Sequence, residues 1–310
     1  MREDLEHIGF YERMRSLAGE KGISLALFGG MACLKLNIVD FTKDVDFVIH
    51  EGSPEAVLCI LTGLRHRDLP CRYRLEISAP LDSSWLDGGW SAHFTFGAGG
   101  AELPSLDFYS HPPRIHTRRM SIRADGVIDL HSLAESKKTN RHKDWGVVNA
   151  IGRLMLDEGN PQGFYHLYDA DYLLEAGSRR APEAEIMRNR PALKLLGENK
   201  DRLEKALALE IEFWSRLNKL RLDIFMRAAY DYHRRLATIA EHLYGLPLAE
   251  QHATIVSIAE RHLPKTPITP EIASTLYTTA AVAVSVGVEA WLAECVPGKE
   301  EVLEGMRYGT

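Results

Sequence analysis

The stretch Phe28–Ile49, FGGMACLKLNIVDFTKDVDFVI, decides how the chain is read. Just upstream, Ile23–Phe28 (ISLALF) is a short apolar run between Gly22 and Gly29–Gly30, the pattern of a buried strand. Met31–Leu36 then reads as a short helix, so strand passes into helix through two glycines. Glycine lets a ligand approach the backbone closely, and the free amides and dipole at a helix N-terminus suit a phosphate. Thirteen residues separate Gly30 from Asp44, and Val45–Ile49 (VDFVI) predicts a second strand. In a strand, side chains at i and i+2 share a face, so Asp44 and Asp46 point the same way. Adjacent carboxylates repel unless a cation sits between them. Mg²⁺ takes oxygen ligands, commonly one or two carboxylates plus substrate phosphates. A glycine bend beside a carboxylate pair is therefore a coherent site for Mg²⁺, or Mn²⁺ in its place, and a nucleotide.

Working outward, Leu106–Tyr109 (LDFY) predicts another strand, stopped by Pro112–Pro113. It places Asp107 among apolar neighbours, which is costly for an acid unless it is paired or ligates a metal. Three carboxylates can bridge two metals, which activate an attacking hydroxyl and stabilise a leaving pyrophosphate. Arg72–Ser78 and His93–Phe96 read as further strands, and Pro54–Leu64 as a helix capped by Ser53.

The order Phe28–Gly29–Gly30, Asp44–Val45–Asp46–Phe47, Leu106–Asp107–Phe108 resembles the nucleotidyltransferase superfamily that includes DNA polymerase β, over roughly residues 20–150. The wording Phe41–Thr42–Lys43–Asp44–Val45–Asp46–Phe47 looks most like the minor nucleotidyltransferases of the abortive-infection toxin type. Leu133–Asp144 (LAESKKTNRHKD) is similar to the basic helix that follows the core in that group. The chain departs from the group at Phe41, where arginine is common, and at Val147, where a further acid is common. The resemblance implies metal ligation and catalysis by Asp44, Asp46 and Asp107. It also implies nucleotide contacts from Gly29, Gly30, Lys137, Arg141, Lys143 and Asp144.

Composition is that of an ordinary folded protein: 310 residues, 45% hydrophobic and 26% charged. A net charge of −6 excludes a generally basic nucleic-acid coat protein. One segment runs the other way: from His111 to Lys143 there are eight basic residues against three acidic ones. It reads equally well as a phosphate-facing surface or as scattered solvated charge. Cys33, Cys59, Cys71 and Cys295 form no C-x-x-C pair, which fits a reducing compartment and no zinc ribbon. The charged first twenty residues do not read as a signal peptide, so the expectation is a cytoplasmic protein. Ala273–Val296, the most apolar stretch, carries Glu289 and small polar residues and reads as a buried helix rather than a membrane span.

The expected fold class is α+β: a nucleotidyltransferase core with a small mixed sheet flanked by helices over residues 1–156, then an all-helical domain over 157–310. Leu130–Lys138 and Trp145–Leu156 are helices of the core. Phe164–Ala176, Arg202–Leu217, Leu220–Tyr244 and Ile272–Ala293 carry helical periods, and Asp157–Gln162 (DEGNPQ) is the joint. Lesser candidates are set aside. His93, His111 and His116 lack metal-ligand spacing. Gly97–Gly100 (GAGG) reads as a hairpin turn, Ser83, Ser84 and Ser91 have no nucleophile-elbow context, and Trp85 and Trp90 read as packing residues.

The expectation is thus an enzyme of the nucleotidyltransferase class. It would move a nucleoside monophosphate from a nucleoside triphosphate to a hydroxyl on tRNA, protein or a small molecule, and release pyrophosphate. The alternative is a non-catalytic nucleotide-binding protein, or a toxin whose main partner is an antitoxin.

Overall fold

In a computed structural model, residues 2–42, 44–97, 104–115 and 120–308 are described. The architecture is α+β. Six strands form one mixed sheet: β1 (Ser24–Phe28), β2 (Asp44–Glu51), β3 (Arg65–His66), β4 (Leu69–Tyr73), β5 (Ala92–Phe96) and β6 (Ser105–Tyr109), in the spatial order β1-β2-β6-β5-β4-β3. Only β2 and β6 run parallel, and the other neighbours are antiparallel. The crossover between the parallel pair carries α3 (Pro54–Gly63), whose first turn is capped by Ser53 Oγ accepting from the Ala56 amide. The outer edge of β1 is covered by residues 126–128, which exchange hydrogen bonds with Leu27.

Alternation along the strands separates two faces. One carries Val45, Phe47, Phe94, Leu106 and Phe108, all buried, with the Phe47 and Phe108 rings stacked at 5.5 Å. Helix α1 (Arg2–Gly19) closes over it, bringing Tyr11 onto Phe47 and Phe10 edge-on to Phe96. The opposite face carries Phe28, Asp44, Asp46, His93, Ser105, Asp107 and Tyr109.

After β6 every element among the described residues is helical. The short helix α4 (Ser83–Leu86) sits between β4 and β5. Helices α5 (Leu130–Lys137) and α6 (His142–Asp157) lead to α7 (Ala170–Arg179) and α8 (Ala184–Asn189). The 39-residue α9 (Lys200–Thr238), about 58 Å long at 1.5 Å per residue, is followed by α10 (Ala240–Tyr244), α11 (Leu248–His262), α12 (Pro270–Ser285), α13 (Ala290–Ala293) and α14 (Lys299–Gly305). The two parts share one continuous cluster of buried side chains. Polar locks join them: the Trp85 and Trp90 indoles donate to the Leu263 and Pro264 carbonyls, and Tyr232 donates to the Ser78 carbonyl. Trp85 and Trp90 are thus packing residues that pin the helices to the sheet. Among the described residues, no helix is long and apolar enough to cross a membrane. Helix α12 buries one face, through Ala273, Leu276, Ala280 and Val284, and leaves Val282 exposed.

Several boundaries differ from expectation. The strand expected over Arg72–Ser78 lies at Leu69–Tyr73, because Arg67 and Asp68 take positive φ and fold a tight hairpin that shifts the pairing back. The helix expected over Phe164–Ala176 is a 3₁₀ turn (Pro161–Tyr165) and α7, since Asp169 caps the Tyr172 amide and starts a new helix. The periods over Arg202–Leu217 and Leu220–Tyr244 belong to one helix as far as Thr238, with no breaker between them. Ile272–Ala293 is split at Gly287, which has φ +79°. All four cysteines are free thiols.

Candidate active site

The site is built on the polar face where β1, β2, β6 and β5 meet. Register does the positioning. Asp46 pairs with Asp107 across the parallel strands, Phe28 pairs with Asp46, and His93 pairs with Asp107. Register partners share a face, so these side chains lie in a row across the sheet. Asp44 pairs with Ser105 two residues further along. The three expected acids therefore converge. Asp44 is exposed, Asp46 partly buried and Asp107 buried.

The strand β1 turns into α2 (Gly29–Lys35) at Gly29, whose φ of +67° is left-handed. A Cβ on Gly29 would stand 1.8 Å from Asp46 Oδ2, and one on Gly30 would stand 2.2 Å from Thr42 Oγ1. The two glycines thus let the β1–α2 bend press against the first acid pair and the segment leading into it. Glycine serves the bend both by conformation and by lack of bulk.

Asp107 is held from behind. His93 Nδ1 lies 2.8 Å from Asp107 Oδ1, and Ser105 Oγ donates to the same oxygen at 3.3 Å. Both of these contacts fall on Oδ1. Ser91 Oγ sits 2.7 Å from His93 Nε2, so hydroxyl, imidazole and carboxylate form a line. Arg74 donates to Ser105 Oγ at 3.1 Å and brings a guanidinium to the edge of the site. From the other side, Phe28 packs edge-on against Tyr109 at 4.8 Å.

Electrostatics show mutual repulsion within the row. Burial, then the neighbouring Asp107 charge, pushes the Asp46 carboxyl up to about 7, while Lys137 pulls it down. Burial, then Asp46 and Asp107, holds the Tyr109 phenol well above its ordinary range. Cys33, on α2, is raised to about 11 by burial and is also sensed by Lys137, Asp144 and Asp46. An ion among these oxygens would relieve the repulsion, and hard carboxylate donors fit Mg²⁺ or Mn²⁺.

The basic segment divides. Lys137, in the last turn of α5, is partly buried and close enough to act on Asp46 and Cys33. Arg141 and Asp144 engage each other, with Arg141 Nε and Nη2 both 2.8 Å from Asp144 Oδ2, and Thr139 Oγ1 donates to the same oxygen. That knot fixes the turn between α5 and α6. Lys143 is exposed on the first turn of α6. Arg114 and Lys138 are buried in the interior, so these two are not part of a phosphate-facing surface. Arg123 is paired with Asp125 and Glu158. His116, Arg118, Arg119, Lys43 and the tip of the turn expected over Gly97–Gly100 lie outside the described residues.

Sequence reasoning missed His93, Ser91, Ser105 and Arg74. The available signal was alternation: Ser91, His93 and Thr95 are the polar half of a strand whose other half is Ala92, Phe94 and Phe96. What it lacked was the pairing of β5 with β6. Searches against protein-family models, curated proteins and solved structures give no match to this chain.

Proposed function

We propose that the protein is a divalent-metal-dependent nucleotidyltransferase with the core of that superfamily. The observation that supports it best is the register pairing of Asp46 with Asp107, with Asp44 beside them and the Gly29 bend against Asp46. A nucleoside triphosphate would bind with its phosphates along Gly29–Gly30 and Lys137. Bound Mg²⁺ supplies charge neutralisation between the carboxylates and the phosphates. The acceptor hydroxyl oxygen bonds to the α-phosphorus, the bond from α-phosphorus to the bridging oxygen breaks, and pyrophosphate leaves with that oxygen. The hydroxyl proton passes to a base on the Asp107 side. In such transfers, positioning and charge do most of the work. His93 and Ser105 contact Oδ1 of Asp107, which would leave its second oxygen to hold the ion. The acceptor is a hydroxyl on tRNA, protein or a small molecule, and an antitoxin remains a partner to test.

The test uses α-labelled nucleoside triphosphates with Mg²⁺ or Mn²⁺ and bulk RNA or lysate as acceptors. The expected result is label transfer that disappears in Asp44→Ala and Asp46→Ala. Tight nucleotide binding with no transfer to any acceptor would overturn the enzyme reading in favour of a binding protein.

One observation favours a second reading. Ser91 Oγ lies 2.7 Å from His93 Nε2, and His93 Nδ1 lies 2.8 Å from Asp107 Oδ1 without hydrogen-bond geometry, the order of groups in a hydrolytic relay, in which imidazole takes the serine proton. On that reading a fluorophosphonate labels the protein and Ser91→Ala abolishes the labelling. No labelling of the wild-type protein removes it.

A further inference from the structure

A second cluster of titratable groups lies away from the acid row. Helix α5 turns Lys137 toward Asp46, and its other side carries His131 and Glu135, four residues apart and so stacked on one face. His166, which follows the 3₁₀ turn Pro161–Tyr165, meets that face. His166 Nε2 lies 3.0 Å from His131 Nδ1, and His166 Nδ1 lies 3.7 Å from Glu135 Oε1. One ligand atom from each residue falls within 4.8 Å of the others. Two donors on one Zn²⁺, each about 2.0–2.1 Å away in tetrahedral geometry, stand roughly 3.4 Å apart, so three ligand atoms within 4.8 Å, one of them a single nitrogen of His166, can close on one ion after small side-chain shifts.

We propose that His131, Glu135 and His166 form a site for a borderline divalent transition metal, zinc foremost, separate from the Asp44–Asp46–Asp107 row. Two imidazoles and one carboxylate are a zinc donor set and a poor one for Mg²⁺. His166 is fully buried, and its Nδ1 has no hydrogen-bond partner among the described residues, a costly state for a polar atom without a ligand.

The surroundings give the ion room and access. A narrow cavity of about 50 Å³ borders His131 and Glu135, enough for a bound water on the metal. A wider cleft of about 480 Å³ also touches His131 and is rimmed by Asp129, Glu183, Glu185 and Glu301, which would draw cations in. The nearby cations have partners: Lys138 is bonded to Glu135, Arg190 to Glu210 and the Phe164 carbonyl, and Arg114 to the Glu135 carbonyl and Asn218. Lys138 is bonded to the Glu135 carboxylate, so it competes with the metal for that group. Bound metal would tie α5, and with it Lys137, to the segment around His166.

The test is Co²⁺ titration of the chelator-treated full chain, followed by visible absorption, with excess Mg²⁺ present to fill the acid row. Expected is one Co²⁺ per chain with nitrogen–oxygen ligand-field bands, displaced by one Zn²⁺. His131→Asn and His166→Asn should each weaken it by more than about 100-fold, the upper end of what loss of a mere supporting partner costs. Asp46→Asn should leave it unchanged. Lys138→Met, which removes the competitor, should tighten it, and this keeps the proposal testable should the histidine variants not fold. No stoichiometric Co²⁺ uptake by the wild-type protein would overturn the proposal. So would uptake lost in Asp46→Asn, uptake unmoved in both histidine variants, or weaker uptake in Lys138→Met. Inorganic phosphate binding in place of Co²⁺ would make the cavity an anion site and also overturn it.

Discussion

Gly29 and Asp46 occupy adjoining space: a methyl group on Gly29 would stand 1.8 Å from Asp46 Oδ2. The bend and the acid are therefore fitted to each other. Gly29→Ala must displace the carboxylate and also hold alanine at φ +67°. Its expected cost is about 1–3 kcal/mol of stability, with loss of nucleotidyl transfer, read by denaturant unfolding and by label transfer. Gly63→Ala is the control. A side chain there meets nothing within 4 Å and φ is not left-handed, so stability should hold or rise slightly.

Asp46 predicts a pH signature. Its carboxyl ionises near 4 in the unfolded chain and at about 7 in the folded one. The folded state resists that ionisation, so the group's stabilising contribution is full below pH 4 and lost as pH rises through 7. Asp46→Asn should raise the melting temperature of metal-free protein at pH 8 by about 5 °C and leave it nearly unchanged at pH 4. Mg²⁺ should raise the wild-type value at pH 8 and not that of the variant. An unchanged melting temperature in Asp46→Asn at pH 8 would show that the acids do not repel.

His93 acts on Asp107 rather than on substrate. His93→Ala should lower the transfer rate by about 10–100-fold with little change in KM for the nucleotide. His93→Gln, which keeps a polar group beside Asp107, should recover part of the loss. A KM effect without a rate effect would assign His93 to nucleotide binding instead.

Arg190 and Glu210 are both buried and lie 2.8 Å apart. Arg190→Met leaves Glu210 without its cation and should cost about 3–5 kcal/mol, measured by urea unfolding. Adding Glu210→Leu should restore most of it. Equal loss in the single and double variants would mean that the pair is not coupled.

Much of the sheet and the acid row was legible in the sequence, because both rest on local rules. Alternation placed Asp44 and Asp46 on one face, the diglycine marked the strand–helix bend, and a lone acid in Leu106–Asp107–Phe108 announced a partner. The supporting residues were not legible, since His93 and Ser91 gain meaning only when β5 pairs with β6. Segment ends misled where capping outweighed periodicity, as at Asp169, or where a positive-φ pair reset the register, as at Arg67–Asp68. The buried fate of Arg114 and Lys138 was hidden for another reason. Each answers a partner distant in the fold or shielded by it, Asn218 and Trp214 from α9 among them.

In the proposed site, Asp46 and Asp107 would hold one divalent ion together with a nucleotide. Mn²⁺ binding, followed by electron paramagnetic resonance in the presence of a non-hydrolysable nucleoside triphosphate, tests it most directly. Wild-type protein should take up Mn²⁺ far more tightly with the nucleotide than without it, and Asp46→Asn and Asp107→Asn should each abolish that gain. Equal Mn²⁺ uptake by all three proteins would contradict the account.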